Sequence, residues 1–218
     1  MPSAKSKNLT GSYSCIQALY WMYFAAIMSF SGFFLLGGGF SNTQIGIIAA
    51  VAGIMSALLQ PVLAGYADRP DSPSLKKIIQ ILYVIQLLGI GLFFSRTLIL
   101  TGLLYGISIA LLQLMTPFIN ALGMESINQG QKLNFGLARG MGSVAYAVIC
   151  YVLGIITVKA GVLSIPASVT IITVLSLGCL IIFPFVKTQK SAQTSSDSKS
   201  LANPLLFFRK YRRFSLVL

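Results

Sequence analysis

Charge is scarce in this 218-residue chain: 9% of its residues are charged and only four are acidic. A soluble domain carries about 25% charged residues, so a soluble globular fold is excluded. Histidine is absent, which removes imidazole as general base, proton shuttle or metal ligand. The three cysteines, Cys15, Cys150 and Cys179, follow no metal-ligand spacing. Cys150 and Cys179 lie inside apolar runs and read as small packing residues. No metal and no cofactor is expected. A hydrophobic content of 56% also excludes disorder, which needs low hydrophobicity and high net charge.

What is present is long apolar sequence. Six runs can each cross a bilayer, which takes about 20 residues. They cover about Ile16 to Leu36, the stretch after Ser41-Asn42-Thr43 to Tyr66, Ile78 to Phe94, Leu98 to Leu122, Phe135 to Val158, and Pro166 to Val186. They are apolar on all sides rather than alternating, so they read as helices and not as barrel strands. The first is too long for a signal peptide, and no clean cleavage site follows it. The expected fold is all-α: a polytopic six-helix transmembrane bundle.

The net charge of +12 would suggest nucleic acid in a soluble protein. Here the basic residues sit in short loops between apolar runs, the pattern of topology determinants. With the N-terminus inside, the inner segments hold Lys5, Lys7, Arg69, Lys76, Lys77, Lys132, Lys187, Lys190, Lys199, Arg209, Lys210, Arg212 and Arg213. The outer loops hold only Arg96 and Lys159, and Arg139 lies within the fifth run. This asymmetry predicts a multi-pass protein of the cell membrane with a cytoplasmic N-terminus and no nucleic-acid partner.

Four segments follow: a cytoplasmic tail over 1–15, the six-helix domain over 16–186, a basic linker over 187–213 and a short apolar start over 214–218. The linker begins KTQKSAQTSSDSKSLA, too polar to bury a core. Its second part alternates Phe207, Phe208 and Tyr211 with basic residues, which suits an anionic lipid surface. Phe214 to Leu218 reads as the first turn of a seventh span, the expectation for a truncated product.

Two clusters carry chemistry. At the inner end of the second run, Gln60-Pro61 precedes AGYADRP, with small Ala64, Gly65 and Ala67 beside Asp68 and Arg69. An acid at a membrane edge can cap a helix or pair with a base and so latch one conformation of a moving bundle. NTQIGII and QPVLAGYADR resemble the second helix and following loop of the major facilitator superfamily. Its loop pattern is G-x-x-x-D-R/K-x-G-x-R/K-R/K. Here Ala64 takes the first Gly position, Asp68 and Arg69 are kept, and Asp71 takes the second Gly position. The resemblance implies a conformational latch at Gly65, Asp68 and Arg69.

The second cluster spans the fourth and fifth runs. The fourth holds Pro117 and Asn120, with Glu125 just beyond. In the fifth, Arg139, Ser143, Tyr146 and Cys150 share one helix face, and Gly136, Gly140 and Gly142 permit close packing elsewhere. An arginine at the centre of a span costs about 2.5–3.5 kcal/mol on insertion scales. Arg139 lies only about 7 Å along its helix, so it either snorkels to the surface or faces a water-filled cavity with Asn120 and Glu125 at comparable depth. A guanidinium fork, an amide and an aromatic ring suit a sugar or nucleoside.

TPFINALGME, FGLARGMGSVAYA and the QP helix are similar to the oligosaccharide–proton and nucleoside–proton symporters, the branch of lactose permease. The resemblance covers nearly the whole chain at the level of half a transporter. It implies that Arg139 and Tyr146 contact the solute, with Asn120 at the fourth-helix carboxylate position and Glu125 as an alternative ion-pair partner. It also implies a proton as coupling ion, a C-terminal six-helix half as partner, and a twelve-helix fold working by alternating access. Tyr20, Tyr23 and Phe24 are candidate cavity-wall residues.

A non-transporting scaffold or assembly partner is the alternative. An enzyme is not expected: there is no catalytic constellation, no HExxH-type site and no nucleophile–base pair.

Overall fold

The computed structural model describes residues 8–90 and 97–185. The chain falls into two units, Met1–Lys187 and Thr188–Leu218. The second unit lies outside the described residues, and with it the linker and seventh-span readings.

The described residues of the first unit form seven helices: α1 Thr10–Met28, α2 Ser31–Gly37, α3 Asn42–Ala67, α4 Leu75–Ile90, α5 Leu98–Asn128, α6 Phe135–Ala160 and α7 Ser164–Ile182. Among the described residues there is no strand, only a single bridge between Asn8 and Lys132. Among the described residues five helical segments are long and apolar enough to cross a membrane, with α1 and α2 counted together as Thr10–Gly37. The sixth, α4, has 16 described residues, about 24 Å of helix against a hydrocarbon core of about 30 Å. Residues 91–94 of the third run lie outside the described residues.

The first span starts at Thr10, ahead of the apolar run, so residues 10–15 of the expected tail are helical. The chain before it is anchored: Leu9 N–H donates to the Lys132 carbonyl at 2.9 Å, and the Asn134 N–H donates to Thr10 Oγ1 at 3.1 Å. The same span is broken at Ser29-Phe30. No proline causes the break. Ser31 Oγ donates to the Met28 carbonyl at 2.9 Å, competing with the helix ladder where Ser29, Ser31 and Gly32 favour it little.

Helix ends follow local chemistry. Ser41 and Gln44 form a reciprocal capping box at α3, with Ser41 N–H donating to Gln44 Oε1 at 2.8 Å. The Asn134 side chain caps α6. Helix α5 runs six residues past the expected end at Leu122, through Glu125, and stops at Gly130. There φ is +78°, and the Gly130 and Gln131 N–H groups donate to the carbonyls of Ile127 and Ser126. That is the glycine-terminated pair of bonds that closes a helix.

Packing is asymmetric. α1 packs most extensively on α6 and also on α7 and α5; α3 packs on α5; α4 bridges α5 and α7. Exchanging α1, α3 and α4 with α5, α6 and α7 maps α1–α6 onto α5–α3 and α1–α7 onto α5–α4, and leaves α4–α7 and α1–α5 unchanged. The five largest contacts therefore obey an internal two-fold relation, whereas the weaker α6–α7 contact has no comparable α3–α4 counterpart. The core is rich in tyrosine: Tyr13, Tyr20, Tyr23 and Tyr83 are fully buried, and Tyr105 stacks on Phe34 at 5.4 Å. By contrast α3 and α6 present Ile54, Leu58, Val62, Val144, Val148 and Tyr151 outward, a surface suited to lipid rather than water.

Two helices contain an internal proline, Pro61 and Pro117. Pro117 cannot donate to the Gln113 carbonyl one turn back. Gln60 Nε2 donates to that carbonyl at 3.4 Å, and Ser56 Oγ donates to Gln113 Oε1 at 2.7 Å. On the other side the Tyr20 hydroxyl donates to the Leu112 carbonyl at 3.1 Å and hydrogen-bonds Thr116 Oγ1. Neighbouring helices thus satisfy the backbone freed by the proline.

Candidate functional site

Polar side chains converge where α1, α5 and α6 meet. Gln17, fully buried on α1, uses every polar atom of its amide. Its Nε2 donates to the Tyr13 hydroxyl at 2.8 Å and to Asn120 Oδ1 at 3.3 Å. Its Oε1 accepts from the Trp21 indole Nε1 at 3.1 Å. An indole nitrogen only donates, so Gln17 must present its oxygen to Trp21 and its nitrogen to Asn120. Asn120 must then present its own oxygen to Gln17. The orientation of both amides is fixed by this chain.

Over the Trp21 ring lies the Arg139 guanidinium, its Cζ 4.1 Å from the ring centroid. A cation over an indole face gains about 0.5–1 kcal/mol when exposed and ~2 or more when desolvated. Arg139 is half-buried and turned onto α1. One turn further, Gly142 is close-packed: an added Cβ would run into the Trp21 ring. Gly140 has open space around it and Gly136 meets only Asn134 at 3.7 Å, so of the three glycines Gly142 alone carries a close helix contact.

Tyr146 continues the face. Its ring lies 6.4 Å from that of Trp21 and 6.5 Å from that of Phe24, and its hydroxyl hydrogen-bonds Ser29 Oγ at 2.6 Å. Cys150 Sγ lies 3.9 Å from the same Ser29 oxygen. The shared face of Arg139, Tyr146 and Cys150 is therefore directed at α1. Ser143 is exposed and makes no hydrogen bond among the described residues. Glu125 is half-buried on α5 and forms no ion pair with Arg139; the partner in contact with the guanidinium is an aromatic ring.

The candidate wall residues of α1 divide. Phe24 stands at the site, 5.1 Å from Trp21. Tyr20 and Tyr23 are core residues, Tyr20 bonded to α5 and Tyr23 packed on Tyr83 at 5.8 Å. Gln17 and Trp21 were not singled out by sequence. Their signal was an amide and an indole at i and i+4 within an apolar run, on the face that also carries Tyr13 and Phe24.

Across the bundle, Asp68 forms the C-cap of α3, its N–H donating to the Ala64 carbonyl at 3.0 Å. Asp68 and Arg69 are exposed. The turn after them is held by Ser72 Oγ, which donates to the carbonyls of Ala67 and Arg69 at 2.8 and 2.7 Å. Gly65 has open space where a Cβ would stand, so no helix approaches it closely in this structure. Lys76 Nζ donates to the Ile181 and Phe183 carbonyls at 3.0 and 2.7 Å, a cation on the C-terminal end of α7.

An apolar cavity of about 690 Å³ lies between α3 and α5, lined by residues such as Ile47, Val51, Met55, Leu103 and Ile107, with Gln44 among them. It offers hardly a hydrogen bond, so the chemistry belongs to the α1–α5–α6 cluster.

The pattern of the MFS_1 like family matches residues 13–209. The chain belongs to this family of the major facilitator superfamily. No curated protein and no solved structure matches it. Membership makes it a multi-pass membrane protein of the major facilitator type.

Proposed function

We propose that the chain forms the N-terminal six-helix half of a proton-coupled sugar or nucleoside symporter of the plasma membrane. The observation that carries this reading is the convergence of Gln17, Trp21, Asn120, Arg139 and Tyr146 from three helices onto one face. Aromatic rings and a few fixed polar groups are the usual furniture of a small-solute site. An intramembrane cation whose contact is an aromatic ring is by default a functional residue. The two-fold relation among the helix contacts supports the three-plus-three repeat on which alternating access is built. In this reading α4 is the third span, Tyr146 and Phe24 line the pathway, and a second six-helix unit closes the site and supplies the proton-binding acids. The thirteen inner basic residues support a cytoplasmic N-terminus. Asp68 and Arg69 form the latch, and no step is enzymatic.

Calorimetric titration of the purified chain with a panel of sugars and nucleosides tests the site. Saturable binding that is lost in Arg139→Ala supports it. Absence of binding across the panel would favour a scaffold.

A further inference from the structure

We infer that the solute held at the Arg139 face is anionic: a sugar bearing a carboxylate rather than a neutral one. The inference rests on reading this face as a sugar-type site, and it follows from the direction of the hydrogen bonds there.

The Trp21 indole donates to Gln17 Oε1, and Gln17 Nε2 donates to Asn120 Oδ1. Both amide oxygens already accept a hydrogen bond inside the protein. The Asn120 amide nitrogen and the N–H groups of Arg139 make no hydrogen bond among the described residues. Tyr146 and Ser29 bond to one another. The face therefore offers donors in excess: the Asn120 and Arg139 N–H groups are unused, whereas each amide oxygen already has one of its two lone pairs taken. A sugar hydroxyl both donates and accepts, so it uses a donor-rich face less fully than a group that only accepts. A carboxylate only accepts, and it matches the planar fork of a guanidinium.

Charge points the same way. The four acidic residues are Asp68, Asp71, Glu125 and Asp197. Asp68 ends α3, which packs on α5 rather than on α6, and Glu125 forms no ion pair with Arg139. The guanidinium rests on the Trp21 ring, with no carboxylate against it among the described residues. A cation that no carboxylate of the described residues balances favours a single negative charge in the solute. A phosphate monoester carries about −1.5 to −2 at neutral pH, more than this face balances, so the carboxylate is the better fit. The Trp21, Phe24 and Tyr146 rings would take the apolar face of the pyranose, as aromatic platforms do for ring ligands.

The chain holds one tryptophan, and it is Trp21, so its fluorescence reports this face alone. The experiment titrates the purified chain in detergent with methyl β-glucuronide, with the methyl ester of that glucuronide and with methyl β-glucoside. The three share one ring and differ in charge at one carbon. The expected result is a saturable change in Trp21 emission with the glucuronide, at least about tenfold tighter than with the ester or the glucoside, as charge-assisted bonds exceed neutral ones. In Arg139→Gln the three should bind alike. The ester comparison uses the unaltered chain, so it decides the point even if the variant misfolds. Equal affinity for all three would overturn the anionic assignment and leave the sugar reading standing. No response and no heat of binding with any of them would overturn both.

Discussion

The Tyr146 hydroxyl hydrogen-bonds Ser29 at 2.6 Å, and Ser29 is the residue at which the first span breaks between α1 and α2. One side chain thus joins the candidate site to a discontinuity in the helix beside it. Its ring also contacts Trp21 and Phe24. Tyr146→Phe keeps the ring and loses the bond to Ser29, whereas Tyr146→Ala loses both. Solute affinity should fall by less than about 1 kcal/mol in the first, the worth of a neutral hydrogen bond. It should fall by roughly 1–3 kcal/mol in the second, on the scale of a lost aromatic contact. Calorimetry on the two variants checks this, and equal losses would place the whole effect in the hydroxyl.

Gly142 lets α6 approach the Trp21 indole. Gly142→Ala puts a methyl group into that ring, and overpacking of this kind costs about 1–3 kcal/mol. The variant should lose thermal stability and show altered Trp21 emission. Gly140→Ala, where a Cβ has open space, should show neither change.

At the far end of α3, Asp68 is an acid placed on the C-terminal end of its own helix, where the helix dipole disfavours it by about 0.3–1 kcal/mol. Such an acid is worth keeping if it stabilises one state of a moving bundle. In a transport-competent form Asp68→Asn should slow uptake severalfold and leave solute affinity nearly unchanged. Initial-rate and equilibrium-binding measurements on the same variant separate the two, and an unaltered rate would make Asp68 a helix terminator only.

The charge asymmetry of the loops predicts orientation. A cysteine placed at Ser196 in a chain lacking Cys15, Cys150 and Cys179 should resist a membrane-impermeant thiol reagent in intact cells and react after permeabilisation. Rapid labelling of intact cells would invert the topology.

The apolar runs were legible because a bilayer demands length and uniform apolarity, and α3 and α6 begin and end close to where the runs do. The ends of α1 and α5 were not. Thr10–Cys15 and Met124–Asn128 are polar enough to leave an apolar window, yet no proline interrupts them and Gly11 and Gly123 are carried inside their helices, so that α5 continues until Gly130 can turn it. The break at Ser29-Phe30 was hidden inside an apolar run because a serine hydroxyl that bonds the backbone barely alters hydropathy. Arg139 and Tyr146 were visible as polar residues at helical spacing. Gln17 and Trp21 were not, since their role depends on which face of α1 meets α5 and α6, and that is a property of packing. Asn120 and Glu125 were both candidates by depth, with Glu125 the alternative ion-pair partner; the contact of the guanidinium with the Trp21 indole was not legible.

The central claim is that Arg139 binds solute rather than merely tolerating the membrane. Substitution by lysine keeps the charge and the reach to the surface but loses the planar fork and its stacking on Trp21. Solute affinity should therefore fall nearly as far in Arg139→Lys as in Arg139→Ala, by about 1.5–3 kcal/mol, the worth of hydrogen bonds to a charged group. Parallel calorimetric titrations of the three proteins give the answer. Near wild-type affinity in Arg139→Lys would contradict the account and reduce Arg139 to a membrane-edge charge.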